Sequence, residues 1–275
     1  MAAEVEDSDR SGMHPDLRKK LILALPILAI AIAEWRFFVG DIYISTWIHV
    51  ITLVSIAIST IWLSGGDEEG SACQARVLPA LQALLLLPLL RLVNISMPVF
   101  FELTLYQFIF IYTPMIIPIV LIARSQHFTY AQLGLTSDRI WIYLPVSLAV
   151  GLLVAGGEYM TIHPGYLIPE LSGINLLKLI LVMLLFVGLV EELIFRSVLQ
   201  TRLESVLGEW GGLIVASVLF GLMHSGYGTP YEMFYTALVG LLLGYMFQRT
   251  RSLPLVAMTH GFANVFLFGV IPHLI

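Results

Sequence analysis

The segment Val190-Glu191-Glu192-Leu193-Ile194-Phe195-Arg196 places three charges inside an apolar run that covers residues 176–199. A charge near the centre of a membrane-spanning helix costs about 2.5–3.5 kcal/mol on insertion scales, and such residues usually have a function. Glu192 and Arg196 are four residues apart and share one helical face, so we expect them to pair. Glu191 lies roughly 140° away from Arg196 on a helix of about 3.6 residues per turn. Glu191 is therefore predicted to lack that partner and to be available for chemistry.

The composition of the whole chain is that of a membrane protein. Of 275 residues, 58% are hydrophobic and only 12% are charged, with a mean hydropathy of +0.89, whereas soluble domains carry about 25% charged residues. Apolar segments alternate with polar connections, which predicts an all-α, polytopic transmembrane helical bundle with eight or nine spans. The segments cover residues 21–39, 42–63, 77–92, 103–123, 140–155, 176–199, 213–224, 233–247 and 254–271.

Polarity divides the chain into three regions. Residues 1–20 are predicted to be a disordered cytoplasmic tail, residues 21–139 an N-terminal transmembrane region, and residues 140–275 the domain that carries the polar motifs. If all nine segments cross, ten of the 14 Lys and Arg residues lie on the side of the tail and three on the other, with Arg196 inside the membrane. This asymmetry predicts a cytoplasmic N-terminus. The loop after the fifth segment is predicted to contain Glu158.

Several other functions are excluded or disfavoured by single residues. The only cysteine, Cys73, excludes an internal disulfide and a cysteine-based metal site. No basic patch suited to nucleic acid is present. Glu34 and Arg36, near the end of the first segment, are expected to extend to the membrane interface. His49, the one ionisable residue of the second segment, is expected to form a local hydrogen bond.

Two further polar motifs follow the glutamates. Phe220-Gly221-Leu222-Met223-His224 ends a span with a histidine, and His260-Gly261-Phe262-Ala263-Asn264 puts a histidine and an amide on one helical face. With a rise of ~1.5 Å per residue, Glu191, His224 and His260 lie at roughly 16, 18 and 12 Å from the cytoplasmic edge. Similar depth is the necessary condition for these side chains to form one site.

These residue types suit hydrolysis by an activated water molecule. A carboxylate in apolar surroundings can act as a general base near neutral pH and can share the water with a histidine. A second histidine and an amide can donate hydrogen bonds to the oxyanion of a tetrahedral intermediate.

Two alternatives to hydrolysis by these residues alone stay open. Two histidines and a carboxylate can bind Zn²⁺ with water as the fourth ligand, although there is no His-Glu-x-x-His motif; or the polar residues serve as a relay or brace in a non-enzymatic transporter or scaffold.

The order Glu-Glu-x-x-x-Arg, Phe-x-x-x-His and His-x-x-x-Asn on successive segments resembles the CAAX protease and bacteriocin-processing family. These glutamate-dependent intramembrane endopeptidases include the type II CAAX prenyl proteases, and the resemblance covers roughly residues 140–272. It implies that Glu191 activates water with His224 as its partner. It also implies that His260 and Asn264 bind the oxyanion. The residues implied in supporting roles are Glu192, Arg196 and Phe220.

The resemblance also implies a substrate and a location. The expected substrate is a membrane-associated peptide or protein cleaved near its end, and the residues leave open whether it is prenylated. No cofactor is implied, and zinc is not favoured. The expected location is the lipid bilayer, as an integral multi-pass protein, in the cell membrane if the source is prokaryotic. No motif assigns a role to residues 21–139.

Overall fold

The described residues of the first half of the chain form five helices. A computed structural model describes residues 15–64, 74–96, 104–135 and 139–275, and within these ranges every regular element is a helix. The predicted all-α fold is therefore confirmed. The first five helices are α1 (Pro15–Phe38), α2 (Ile42–Ser64), α3 (Gln74–Leu84), α4 (Leu86–Ser96) and α5 (Gln107–Ser125).

The second half contains seven further helices with π-helical turns between some of them. The helices are α6 (Ile140–Ile162), α7 (Gly173–Val182), α8 (Leu189–Glu192), α9 (Thr201–Leu222), α10 (Pro230–Thr250), α11 (Leu253–Val265) and α12 (Ile271–Leu274). The π-helical turns cover Met183–Gly188, Leu193–Gln200 and Phe266–Val270, and a short 3₁₀ turn covers Ser225–Tyr227.

Seven stretches of the described chain are long and apolar enough to cross a membrane. One of them, Gly173–Tyr227, has 55 residues, whereas a single crossing needs about 20. The backbone leaves the helical conformation at Gly208, where φ is 80° and ψ is 167°, a region that only glycine adopts readily. After this residue Gly212 packs directly against the backbone of Glu204. The chain therefore reverses at Gly208, and this stretch is long enough for two crossings. The multi-pass bundle predicted from the sequence is confirmed.

Two helices extend beyond their predicted ends. Helix α1 begins at Pro15, so residues 15–20 are helical and the predicted disorder there is wrong, because proline suits the first turn of a helix. Residues 1–14 of the predicted tail lie outside the described residues. Helix α6 continues to Ile162, and Glu158 is buried in it rather than placed in a loop. Two adjacent glycines, Gly156 and Gly157, precede Glu158 within this helix, and Gly157 gives room for the ring of Tyr235.

The third predicted segment is divided into two short helices. Helix α3 ends at Leu84 and helix α4 begins at Leu86. The break lies one turn before Pro88. The reason is that Pro88 has no N–H to donate to the carbonyl oxygen of Leu84.

Helix α11 lies at the centre of the second half. In the most apolar 18-residue window of the stretch Leu253–Leu274, which contains it, 72% of the residues are buried. A Cβ atom added to Gly188 would lie 2.6 Å from the carbonyl oxygen of Ala257, and one added to Gly261 would lie 2.8 Å from Cα of Leu184. Small residues allow helix backbones to approach closely in membranes. These glycines therefore set the distance between the helix that carries the two glutamates and the helix that carries His-x-x-x-Asn.

We expect Gly188→Ala to lower the thermal stability of the detergent-purified protein. The added methyl group would meet the carbonyl oxygen of Ala257 at 2.6 Å, and overpacking of this kind costs about 1–3 kcal/mol. Gly156→Ala is the matched control, since nothing lies within 4 Å of a Cβ atom at that helical position. The measurement is thermal unfolding of both variants, and equal melting temperatures would contradict the close packing.

Candidate active site

A buried cavity lies among the helices of the second half, and helix α5 of the first half also lines it. Its empty volume is about 590 Å³, open mouth included. The lining contains Glu191, His224, His260 and Asn264. These four residues come from α8, from the end of α9 and from α11, so three motifs that are separate in the sequence meet at one cavity.

The two glutamates occupy a four-residue helix, α8, between two π-helical turns. Such turns are rare and often occur at functional sites. Glu192 is fully buried, and its Oε2 lies 3.1 Å from Nε of Arg196. The pair expected from the four-residue spacing is therefore present in the structure. In the described chain the ion pair of Arg196 is made with Glu192 and not with Glu191.

Glu191 is held by a residue from the first half of the chain. The hydroxyl group of Tyr112, on α5, donates a hydrogen bond to Oε1 of Glu191. Oε2 of Glu191 is buried and has no hydrogen-bond partner among the described residues. The ring nitrogen Nε2 of His260 lies 3.8 Å from Oε2. One carboxylate oxygen is thus fixed, and the other accepts from no donor of the described chain at the cavity.

His260 stands between the two glutamates. Its Nδ1 lies 2.8 Å from Oε1 of Glu192, and its other nitrogen is directed towards Glu191. A carboxylate can only accept a hydrogen bond, so Nδ1 carries the proton in this contact. Glu192 therefore fixes the orientation of the His260 ring as well as pairing with Arg196.

His224 is oriented by its own helix. Its Nδ1 lies 2.9 Å from the carbonyl oxygen of Phe220, which can only accept, so Nδ1 donates and Nε2 of the neutral ring keeps a lone pair. The Phe220 ring lies 4.8 Å from the His224 ring and 5.7 Å from the His260 ring, between centroids. The guanidinium of Arg196 lies 4.4 Å from the same ring. Phe220 thus separates and orients three polar side chains.

A second buried ion pair lies next to this site. Arg91 donates from Nε to Oε1 of Glu34 at 2.9 Å and from a terminal nitrogen to Oε2 at 2.5 Å. Both residues are buried, so the prediction that Glu34 extends to the interface is wrong. The physical reason is that a bidentate partner lies across the helix contact. His49 also differs from expectation, since its Nε2 lies 3.2 Å from Oε1 of Glu34, on another helix.

This ion pair holds the turn that follows His224. Arg91 also donates to the carbonyl oxygen of Met223 at 2.6 Å. The hydroxyl of Ser225 lies 2.6 Å from Oε2 of Glu34. The residues on both sides of His224 are therefore attached to helices α1 and α4 of the first half.

Sequence reasoning did not assign four residues to this site, and the reasons differ. Glu34 and Arg91 are charges in apolar segments, and the cost argument that selected Glu191 applies to them equally. Tyr112 gave no signal, because tyrosine is common in apolar segments. Glu158 also lines the cavity, and its assignment to a loop concealed it.

Removal of Arg91 is expected to destabilise the protein strongly. Arg91→Met leaves Glu34 buried without its cation, and loss of one partner of a buried pair costs about 3–5 kcal/mol. The matched control is Arg36→Met, since Arg36 pairs with Asp41 at the surface and its side chain is 39% exposed. Thermal unfolding should show a large fall in melting temperature for the first variant and a small one for the second. Similar shifts for both would contradict the structural importance of the buried pair.

A metal site of the usual kind is not formed by the described residues. Across residues 15–64, 74–96, 104–135 and 139–275, no three His, Cys, Asp or Glu side chains are grouped so as to hold a metal ion. Cys73 lies outside these ranges. The arrangement at the cavity is instead a carboxylate, two imidazoles and an amide around a space open to water.

Comparisons with known proteins point to the same region. Residues 173–266 match the family described as type II CAAX prenyl endopeptidase Rce1-like. The uncharacterized protein YpbD of Bacillus subtilis (strain 168) is 31% identical over 133 residues, which make up 46% of this chain and 65% of YpbD. No solved structure matches the chain. The resemblance indicated by the three motifs is thereby confirmed: residues 173–266 of this chain are similar to the Rce1-like type II CAAX prenyl endopeptidases.

Proposed function

We propose that this protein is a glutamate-dependent intramembrane endopeptidase. The observation that carries the proposal is the state of Glu191. Its Oε1 accepts a hydrogen bond from Tyr112, while its buried Oε2 has no partner in the described chain and lies at a cavity lined by two histidines and an amide. The family match supports proteolysis as the reaction class.

In the proposed reaction Glu191 and His224 activate water. A water molecule that donates to Oε2 of Glu191 and to the Nε2 lone pair of His224 has its oxygen free to attack the scissile carbonyl carbon. Its proton passes to the Glu191 carboxylate as the new C–O bond forms. Proton transfer by a positioned base accelerates such steps by about 10²–10⁴-fold.

His260 and Asn264 are proposed to stabilise the oxyanion. To donate from Nε2, His260 must carry protons on both ring nitrogens. The carboxylates of Glu192 and Glu191 on either side of the ring stabilise this cation. The amide of Asn264 supplies a second, neutral donor at the same cavity. Each donor of this kind contributes about 10²–10³-fold to kcat.

The proposed substrate is a membrane-associated peptide or protein that carries a prenylated CAAX sequence near its end. The family description supports this substrate class, and the position of the cavity among apolar helices is compatible with a substrate held at the membrane. We also propose that the N-terminus is cytoplasmic and, for a prokaryotic source, that the protein lies in the cell membrane. The excess of Lys and Arg on the side of the tail supports this orientation.

Glu191→Gln is expected to abolish cleavage of a farnesylated CAAX reporter peptide by the detergent-purified protein. We expect kcat to fall by about 10²–10⁴-fold, because the amide cannot take a proton from water. Glu170→Gln is the matched control, since Glu170 is exposed and does not line the cavity. Unchanged melting temperatures would show that both variants fold.

The same assay discriminates the alternatives. An active Glu191→Gln protein would overturn the proposal. Activity lost on chelation and restored by Zn²⁺ would establish the zinc mechanism instead. Absence of cleavage by the unmodified protein, with both this reporter and unprenylated membrane peptides, would favour a transporter or scaffold.

Asn264→Ala is expected to lower kcat on the same reporter by about 10²–10³-fold, because one oxyanion donor is lost. KM should change little, since the oxyanion exists only after attack. Asn175→Ala is the control, because Asn175 lies outside the cavity lining. A rise in KM with unchanged kcat would show that Asn264 binds the substrate rather than the transition state.

A further inference from the structure

A second pair of carboxyl groups lies beside the proposed base. Glu158, on α6, lines the same cavity as Glu191 and is 7% exposed. Glu232, on α10, is fully buried next to it, within hydrogen-bonding reach of the Glu158 side chain. Neither residue belongs to the three motifs. The cavity is thus bordered by Glu191 on α8 and by Glu158, one member of a carboxyl pair that lies on two other helices.

The contacts of this pair require a proton. Two carboxyl groups can form a hydrogen bond with one another only when one of them is protonated. Oε1 of Glu232 is buried without a hydrogen-bond partner in the described chain, and Thr161 Oγ1 lies 2.5 Å from Oε2. Two carboxyl groups in hydrogen-bonding contact do not both stay ionised, as in the carboxyl pairs of aspartic proteases. A proton shared between Glu158 and Glu232 satisfies both groups.

The groups that surround the pair in the described chain offer it no compensating cation. The titratable groups that face Glu158 are the carboxylates of Glu232 and Glu191 and the hydroxyls of Tyr227 and Tyr235. Within the described residues, no arginine, lysine or histidine forms an ion pair with Glu158 or Glu232. A proton is therefore what neutralises this pair. Glu192 differs, because its charge is balanced by the ion pair with Arg196.

We propose that Glu158 is the proton donor to the leaving amine of the cleaved peptide bond, and that Glu232 holds this proton on the pair before the reaction. The inference rests on the proposed function. Glu191 takes one proton from water as the water oxygen bonds to the carbonyl carbon. The C–N bond of the tetrahedral intermediate then breaks, and the nitrogen takes the proton of Glu158. The proton on Glu191 returns to the carboxyl pair, so the net change is addition of one water to the peptide bond.

The test compares two leaving groups. The first substrate is the farnesylated CAAX reporter, and the second is the same peptide with the scissile N–H replaced by sulfur. A thiolate leaves without protonation, whereas an amine does not. For Glu158→Gln we expect kcat to fall by about 10²–10⁴-fold on the amide and by less than about tenfold on the thioester, with KM unchanged. Glu170→Gln should leave both substrates unaffected.

Glu232→Gln provides a second, independent variant. The amide introduced by this substitution donates to the Glu158 carboxylate and removes the need for a shared proton, so the same difference between amide and thioester substrates is expected. This variant decides the question if Glu158→Gln does not fold. Equal losses on both substrates, or no loss on the amide, would overturn the role of Glu158. If unmodified protein cleaves and Glu191→Gln does not, the proposed function stands in either case. If unmodified protein cleaves neither substrate and no unprenylated membrane peptide, the proposed function itself fails.

Discussion

The exclusion of water from the membrane interior determines which side chains meet in this protein. A buried charge needs a partner of opposite sign or a donor, and within one helix few partners are in reach. The pair of Glu34 and Arg91 therefore joins α1 to α4, and the contact of Glu192 with His260 joins α8 to α11. Each contact satisfies a charge and at the same time fixes the position of two helices. The contacts that hold the helices together are thus the same contacts that form the polar centre.

This requirement gives the first half of the chain a part in the site. The three motifs lie after residue 190, but Tyr112 of α5 holds Glu191, and Arg91 of α4 holds the turn after His224. Neither residue lies in the matched region, 173–266. The first half therefore contributes to the geometry of the site, and a fragment that contained only the motif-bearing helices would leave Glu191 without its donor.

The sequence predicted what depends on local spacing and composition. Hydropathy alone indicated the all-α membrane bundle, and the four-residue spacing of Glu192 and Arg196 indicated their contact. Partners on other helices were beyond such reasoning, because no periodicity links Tyr112 to Glu191 or Glu34 to Arg91. The π-helical turns on both sides of α8 were also unpredicted, since they alter the register that a regular helical wheel assumes. Glu158 was misplaced because two adjacent glycines, which usually interrupt a helix, precede it, whereas Gly157 serves here for close packing within the helix.

In the proposed mechanism one cavity contains both a base, Glu191, and an acid, Glu158. Both are buried carboxyl groups in apolar surroundings, so residue type and burial alone do not distinguish them. Their neighbours do. Glu191 accepts from a neutral hydroxyl and lies beside His260, which suits its proposed role as the base. The titratable neighbours of Glu158 in the described chain are hydroxyls and other carboxyl groups, so it is suited to keep a proton. In well-studied hydrolases, different surroundings make one carboxyl group a base and another an acid. The roles proposed for Glu191 and Glu158 rest on the same principle, because the helices that meet at the cavity give the two groups different neighbours.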